Sequence, residues 1–241
     1  MTDLIVAVDQ GSSSTRAVAF DTQLRPVASA SRPLDTTHPR PGWVEQDADA
    51  ILASVVDAIA EVLQAVSGHR IVAAGIDNQG ETVVAWDADS GEPLAPAVSW
   101  QCNRSAEVVE RLRCAGHEAE VWRHTGLPLH PYFSAGKMAW LLENVPAVGD
   151  AAARGTLRLG TVDAWLTSRL AGEPLTDPST ASRTQLLDLD ETSWSAPMLD
   201  LFAVPREALP RIVDTAGPLG VLRHPAWGGI ELPLTALACD Q

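Results

Sequence analysis

The chain has 241 residues, 46% apolar and 20% charged, enough to bury a large core as one domain or two small ones, which excludes a disordered polypeptide. Its formal net charge of −14 excludes a nucleic-acid or anionic-membrane surface, which needs clustered Lys and Arg, but not a nucleotide, whose phosphates main-chain N–H groups and a metal ion can hold. Cys102, Cys114 and Cys239 are odd in number without CxxC spacing, so neither a disulfide framework nor a zinc site is expected; with no apolar run of membrane-spanning length, the expected location is cytoplasmic.

An apolar run from Leu4 to Val8 ends in Asp9-Gln10-Gly11-Ser12-Ser13-Ser14-Thr15-Arg16, and a second returns through Asp21, which predicts a β-hairpin with a polar loop. Residues 26–30 suit a third strand and 33–42 a loop. Asp47 is placed as N-cap of a helix over 48–66, with Ile51, Val55, Ile59, Val62 and Val66 on one face. Strands are expected over 70–76 and 81–87, the latter closed by a turn at Ser90-Gly91. Strand, hairpin, helix and strand in this order fit an α/β fold with a mixed sheet flanked by helices, of the ribonuclease-H-like type.

Helical patterns follow over 105–115, 118–125, 134–144 and 161–170, then a loop-rich segment over 174–183. Six prolines from Pro197 to Pro233 are expected to allow only short elements. The chain stops at Asp240-Gln241 directly after an apolar stretch, which gives the expectation of a sequence cut short.

The Gly11-Ser12-Ser13-Ser14 loop suits a phosphate chain. Glycine permits close backbone approach, and the serines present both N–H and O–H donors. Asp9 is placed to hold a hydrated Mg2+, and Arg16 can add a charge-assisted contact. Alone, the stretch fits an ordinary serine-rich hairpin equally well, and it is neither a Walker A loop nor a GxGxxG turn. It resembles the first phosphate loop of the actin, Hsp70 and sugar-kinase superfamily.

Further stretches match one family in order. They are Gly42-Trp43-Val44-Glu45-Gln46-Asp47, Gly75-Ile76-Asp77-Asn78-Gln79-Gly80-Glu81-Thr82, Ser99-Trp100-Gln101-Cys102-Asn103-Arg104, residues 131–141, Gly160-Thr161-Val162-Asp163-Ala164-Trp165-Leu166 and Thr180-Ala181-Ser182-Arg183-Thr184. Singly, Trp100, Trp140 and Trp165 read as core aromatics, Lys137 as a solvated helix charge and Glu81 as an exposed strand residue. Jointly they resemble the N-terminal domain of the FGGY carbohydrate kinases, closest to the glycerol kinases.

The resemblance implies phosphate contacts of ATP at Ser12, Ser13, Ser14 and Arg16, with Asp9 near Mg2+. It implies a polyol pocket formed by Gly80, Glu81, Trp100, Tyr132, Asp240 and Gln241, with Asp240 as catalytic base. It further implies a C-terminal nucleotide-binding lobe outside this chain, little activity of the chain by itself, and compatibility with a homo-oligomer. A non-catalytic polyol-binding chain, or half of a two-chain kinase, is the alternative. Two positions depart from the family pattern. Gly80 stands where glycerol kinases have arginine, which is expected to leave space for a larger polyol or a ketose. Cys239 stands where glycine is usual, which would strain a backbone requiring positive φ.

Overall fold

Strict alternation builds the first hairpin. In β1 (Asp3–Gln10), Leu4, Val6, Val8 and Gln10 point inward, and in β2 (Ser14–Asp21), Thr15, Ala17 and Ala19 do the same. The computed structural model, which describes residues 2–241, continues with β3 (Pro26–Pro33) and β4 (Arg70–Asn78). A separate antiparallel pair, β5 (Val84–Asp87) and β6 (Leu157–Gly160), leaves the sheet, and β7 (Ala216–Leu222) and β8 (Leu232–Cys239) return to it. The six-stranded order is β7-β8-β4-β1-β2-β3, with β1, β4 and β8 mutually parallel and the other neighbours antiparallel. This is the mixed, helix-flanked sheet expected from the sequence.

Helix α1 (Ala48–Ala65) begins at Asp47, whose carboxylate accepts from the N–H groups of Asp49 and Ala50 at 2.8 and 3.2 Å. Its expected apolar face is buried against the sheet. A second core gathers α2 (Ala106–Cys114), α3 (Glu118–Thr125), α4 (Ser134–Asn144) and α5 (Pro146–Arg154) around β5 and β6. Helix α6 (Val162–Ala171) returns to the first core, where the Trp165 indole donates to the Ala48 carbonyl at 2.9 Å. Two shorter helices, α7 (Pro178–Ser182) and α8 (Ala196–Phe202), complete the set. No helix among the described residues is long and apolar enough to cross a membrane.

Three local expectations are corrected. The strand expected over 81–87 starts only at Val84, because Glu81 sits at φ 56° in a tight turn in which the Thr82 N–H donates to the Gly80 carbonyl at 2.7 Å. The loop expected over 174–183 contains α7, started by Asp177 as N-cap and Pro178 in the first turn, a pairing that was present in the sequence. Prolines also do not forbid long strands near the C-terminus. Pro218 lies in the edge strand β7 and Pro233 near the start of β8, where a missing N–H costs little.

Replacing the α1 cap, Asp47→Ala, leaves two first-turn N–H groups without that acceptor. Unfolding in urea is expected to show a loss of about 1 kcal/mol; an unchanged midpoint would deny the cap an energetic role.

Candidate active site

Sheet register assembles the site. Asp9 pairs with Asp77 and Asp77 with Ala238; one step on, Gln10 pairs with Asn78 and Asn78 with Cys239. The three parallel strands therefore end together, and Asp240 follows directly, its N–H donating to the Asn78 carbonyl at 3.2 Å. Carboxyl ends of parallel strands are where open α/β sheets place ligands.

The hairpin loop leaves β1 through Gly11, whose N–H donates to the Ser14 carbonyl at 3.0 Å. A Cβ on Gly11 would approach that carbonyl to 3.2 Å, so the turn is tight around glycine. The main-chain N–H groups of Ser12 and Ser13 have no protein acceptor among the described residues. Ser13, Ser14 and Arg16 are exposed, and Arg16 lies opposite Asp9 across the hairpin.

Ser12, Gly80, Glu81, Trp100, Tyr132, Asp240 and Gln241 line one cavity of about 50 Å³. All the acceptor-pocket residues expected from sequence are thus brought together with Ser12, while Ser13, Ser14, Arg16 and Asp9 lie outside the lining. Trp100 and Tyr132 form an aromatic corner, with ring centroids 5.6 Å apart at 67°. The Trp100 indole donates to Ser12 Oγ at 2.7 Å, joining the hairpin loop to the cavity wall. Behind this contact lies a buried amide network. Gln79 Nε2 donates to Gln10 Oε1 and Gln46 Oε1, both at 3.1 Å, and Gln46 Nε2 donates to the Ser12 carbonyl at 2.6 Å.

Glu81 is not the exposed strand residue that it resembled when read alone: it is 1% exposed and its Oε1 accepts from Arg183 Nε at 2.6 Å. Burial raises its pKa, and the neighbouring Arg183 and Lys137 charges oppose that rise. Lys137 is likewise no solvated charge: it is fully buried, and its ammonium donates to the carbonyls of Tyr132 and Phe133. Burial pushes the Lys137 amine down to about 7. The Asp77 carboxyl is raised by burial first and then by the charges of Asp9 and Asp240. Cys239 adopts strand geometry without positive φ, so the expected backbone strain is absent. Burial and the nearby carboxylates push its thiol up to about 12, which makes it a poor nucleophile.

Sequence reasoning assigned no role to Arg183, Lys137 or the three glutamines. For Lys137 a signal existed, since it stands alone among Gly136, Met138 and Ala139 in an otherwise apolar stretch. For Arg183 there was none, because only the fold brings it to Glu81.

Residues 4–241 match the FGGY family of carbohydrate kinases, N-terminal domain. The chain is 41% identical over 245 residues to glycerol kinase 1 of Pseudomonas aeruginosa, and 41% identical over 241 residues to a glycerol kinase of Dechloromonas aromatica. These alignments take in 100% and 98% of the chain but 49% and 48% of the relatives, so the chain spans about half the length of the curated relatives it matches. Among solved structures, Plasmodium falciparum glycerol kinase with ADP superposes with a TM-score of 0.95 at 28% identity, covering 100% of this chain and 49% of that one. A xylulose kinase of Rhodospirillum rubrum follows at 0.89 and 26% identity, covering 98% and 50%.

Because Lys137 has a folded-state pKa near 7 against 10.5 for the free amine, the unfolded chain binds more protons between those values. Its contribution to stability therefore rises with pH across that window. Unfolding free energies of the wild-type chain and Lys137→Met are expected to diverge in slope by up to about 1.4 kcal/mol per pH unit between pH 7.5 and 9.5. Parallel curves would show that the amine does not titrate differently on folding.

Proposed function

Since the chain belongs to the FGGY family of carbohydrate kinases, we propose that residues 1–241 form the acceptor-binding N-terminal domain of an ATP-dependent kinase acting on a terminal hydroxyl of glycerol or a related polyol or sugar. The observation that carries this is the single cavity in which Glu81, Trp100, Tyr132, Asp240 and Gln241 meet Ser12. A carboxylate, an aromatic corner and an amide are the groups that recognise a carbon chain bearing adjacent hydroxyls.

In this mechanism Glu81 accepts hydrogen bonds from acceptor hydroxyls, Trp100 and Tyr132 cover the carbon edge, and Gln241 supplies a further donor and acceptor. Asp240, exposed beside the cavity, takes the proton of the attacking hydroxyl as its oxygen reaches the γ-phosphorus. The unpartnered N–H groups of Ser12 and Ser13, together with Ser14 and Arg16, hold phosphate oxygens. Catalysis is then mostly positioning and charge stabilisation around a loose transition state. The remainder of the nucleotide site belongs to a second, C-terminal lobe, so the 241-residue chain alone has little turnover.

The strand ends also suit Mg2+. Asp77 Oδ1 is buried without a hydrogen-bond partner among the described residues, and its carboxyl is raised first by burial and then by the charges of Asp9 and Asp240, which a cation would relieve. No group of three or more His, Cys, Asp or Glu among the described residues could hold a metal ion by itself; an Mg2+ here would be held by one or two carboxylates, waters and phosphate oxygens. Asp9 would be its carboxylate ligand, and the ion would supply charge neutralisation to the phosphates.

Phosphoryl transfer from ATP by the full-length protein, measured across glycerol, erythritol and ketoses, tests the proposal. At least one acceptor should be phosphorylated, and Asp240→Asn should lower the rate by about 10²- to 10⁴-fold. Undiminished turnover in that variant would remove Asp240 as the base, and a wild-type protein inactive on every acceptor would sink the kinase assignment.

A further inference from the structure

Gly80 and Cys239 share one small space. A Cβ on Gly80 would lie 2.7 Å from Cys239 Sγ, a distance real side chains do not adopt, with Gln241 Cγ at 3.7 Å and Arg183 Cγ at 3.9 Å beyond it. The space that glycine was expected to open is thus already filled by a thiol. That expectation of a roomier pocket is corrected.

A guanidinium stands next to the site, although Arg183 is not part of the cavity lining. Arg183 follows α7 and passes beside Gly80 to reach Glu81, donating through Nε at 2.6 Å. Its side chain is 26% exposed while that of Glu81 is 1% exposed, so the pair is buried on the carboxylate side and open on the guanidinium side. Its charge also acts on the Tyr132 hydroxyl, and its guanidinium carbon stands 5.8 Å from that ring's centroid. A guanidinium carries five N–H donors, and one is committed to Glu81.

We propose that Arg183 is the guanidinium that grips an acceptor hydroxyl beside Glu81, and that Gly80 and Cys239 are a size-matched pair closing the adjoining wall, so that the site selects a short acyclic polyol with adjacent hydroxyls over a pentulose. The assignment rests on the acceptor site proposed above. Its chemistry is complementary: each hydroxyl both donates and accepts, and a carboxylate beside a guanidinium satisfies both roles for two neighbouring hydroxyls. The thiol takes no part in the chemistry and acts by volume.

The test uses the full-length protein with glycerol and D-xylulose as acceptors. Arg183→Gln should lower kcat/KM for glycerol by about 10- to 100-fold, chiefly through KM, and Arg183→Lys should recover only part, because a point charge lacks the planar fork. Cys239→Gly should raise the xylulose-to-glycerol ratio of kcat/KM by about 10-fold. Gly80→Ala should lower both Tm and glycerol affinity when Cys239 is present, and neither when Cys239→Gly accompanies it. An unchanged glycerol KM in Arg183→Gln, or an equal effect of Gly80→Ala in both backgrounds, overturns the assignment. If the wild type phosphorylates nothing, the kinase reading fails separately and glycerol binding by calorimetry decides: binding lost in a folded Arg183→Gln supports the role of Arg183, and no binding by the wild type overturns it.

Discussion

Three buried side-chain amides hold the site to the sheet. Gln10, Gln46 and Gln79 come from three distant segments, are at most 2% exposed, and bond one another and the main chain of the hairpin loop. A buried amide left without a partner costs about 1–3 kcal/mol, so moving any one segment exposes the other two to that penalty. Gln79 Oε1 also accepts from Thr82 Oγ1 at 3.0 Å, and Thr82 Oγ1 accepts from the Trp100 N–H at 3.1 Å. One polar network thereby fixes the hairpin loop, the Gly80-Glu81 turn and the aromatic wall relative to each other. Register then fixes the rest, since β1, β4 and β8 can deliver Asp9, Asp77 and Asp240 to one edge only in this alignment.

The left-handed backbone at Glu81 follows from the same constraint. A non-glycine residue at φ 56° persists only when its surroundings over-determine it. Here the Ser134 hydroxyl donates to the Glu81 carbonyl at 3.3 Å, Arg183 takes its carboxylate, and Lys137 holds the carbonyls of the segment carrying Tyr132. The Arg183 cation, joined by Lys137 when its amine is protonated, offsets the desolvation of this buried carboxylate and places positive charge inside a chain of net charge −14. The overall charge of the molecule therefore says little about what this pocket attracts. The charges that act on Glu81 are those of Arg183, Lys137 and Asp240.

Much of this was legible before any coordinates. Alternation identified the hairpin, the Asp47 cap and apolar spacing identified α1, and the ordered motifs identified the residues that line the cavity. Legibility stopped wherever a residue's role depends on a partner far away in sequence. Glu81 read as an exposed strand residue because nothing within a few positions shows the Arg183 that lies opposite it, 102 residues on. Gly80 read as a vacancy because the thiol that fills it belongs to another strand. The short helix α7 was different in kind: Asp177-Pro178 signalled its start locally, and the surrounding loop-like composition outweighed that signal.

The two sides of the site differ in how their polar groups are satisfied. Groups on the proposed acceptor side are bonded to the core: Glu81 by Arg183, Tyr132 through the Lys137 contact to its carbonyl, Trp100 through Thr82 and Ser12. On the hairpin-loop side the carbonyls of Ser12, Ser13 and Ser14 are bonded, but the side chains of Ser13, Ser14 and Arg16 face solvent, and among the described residues the N–H groups of Ser12 and Ser13 have no protein acceptor. An acceptor that must present one hydroxyl among several equivalent ones needs a rigid, asymmetric cradle, because a displacement of about 1 Å from the productive geometry can cost on the order of 100-fold in rate. A phosphate chain, with several equivalent oxygens, tolerates donors that settle around it on binding. The Trp100–Ser12 hydrogen bond is where these two regimes meet. Through it, the cavity wall fixes the origin of the loop that we propose meets the phosphate.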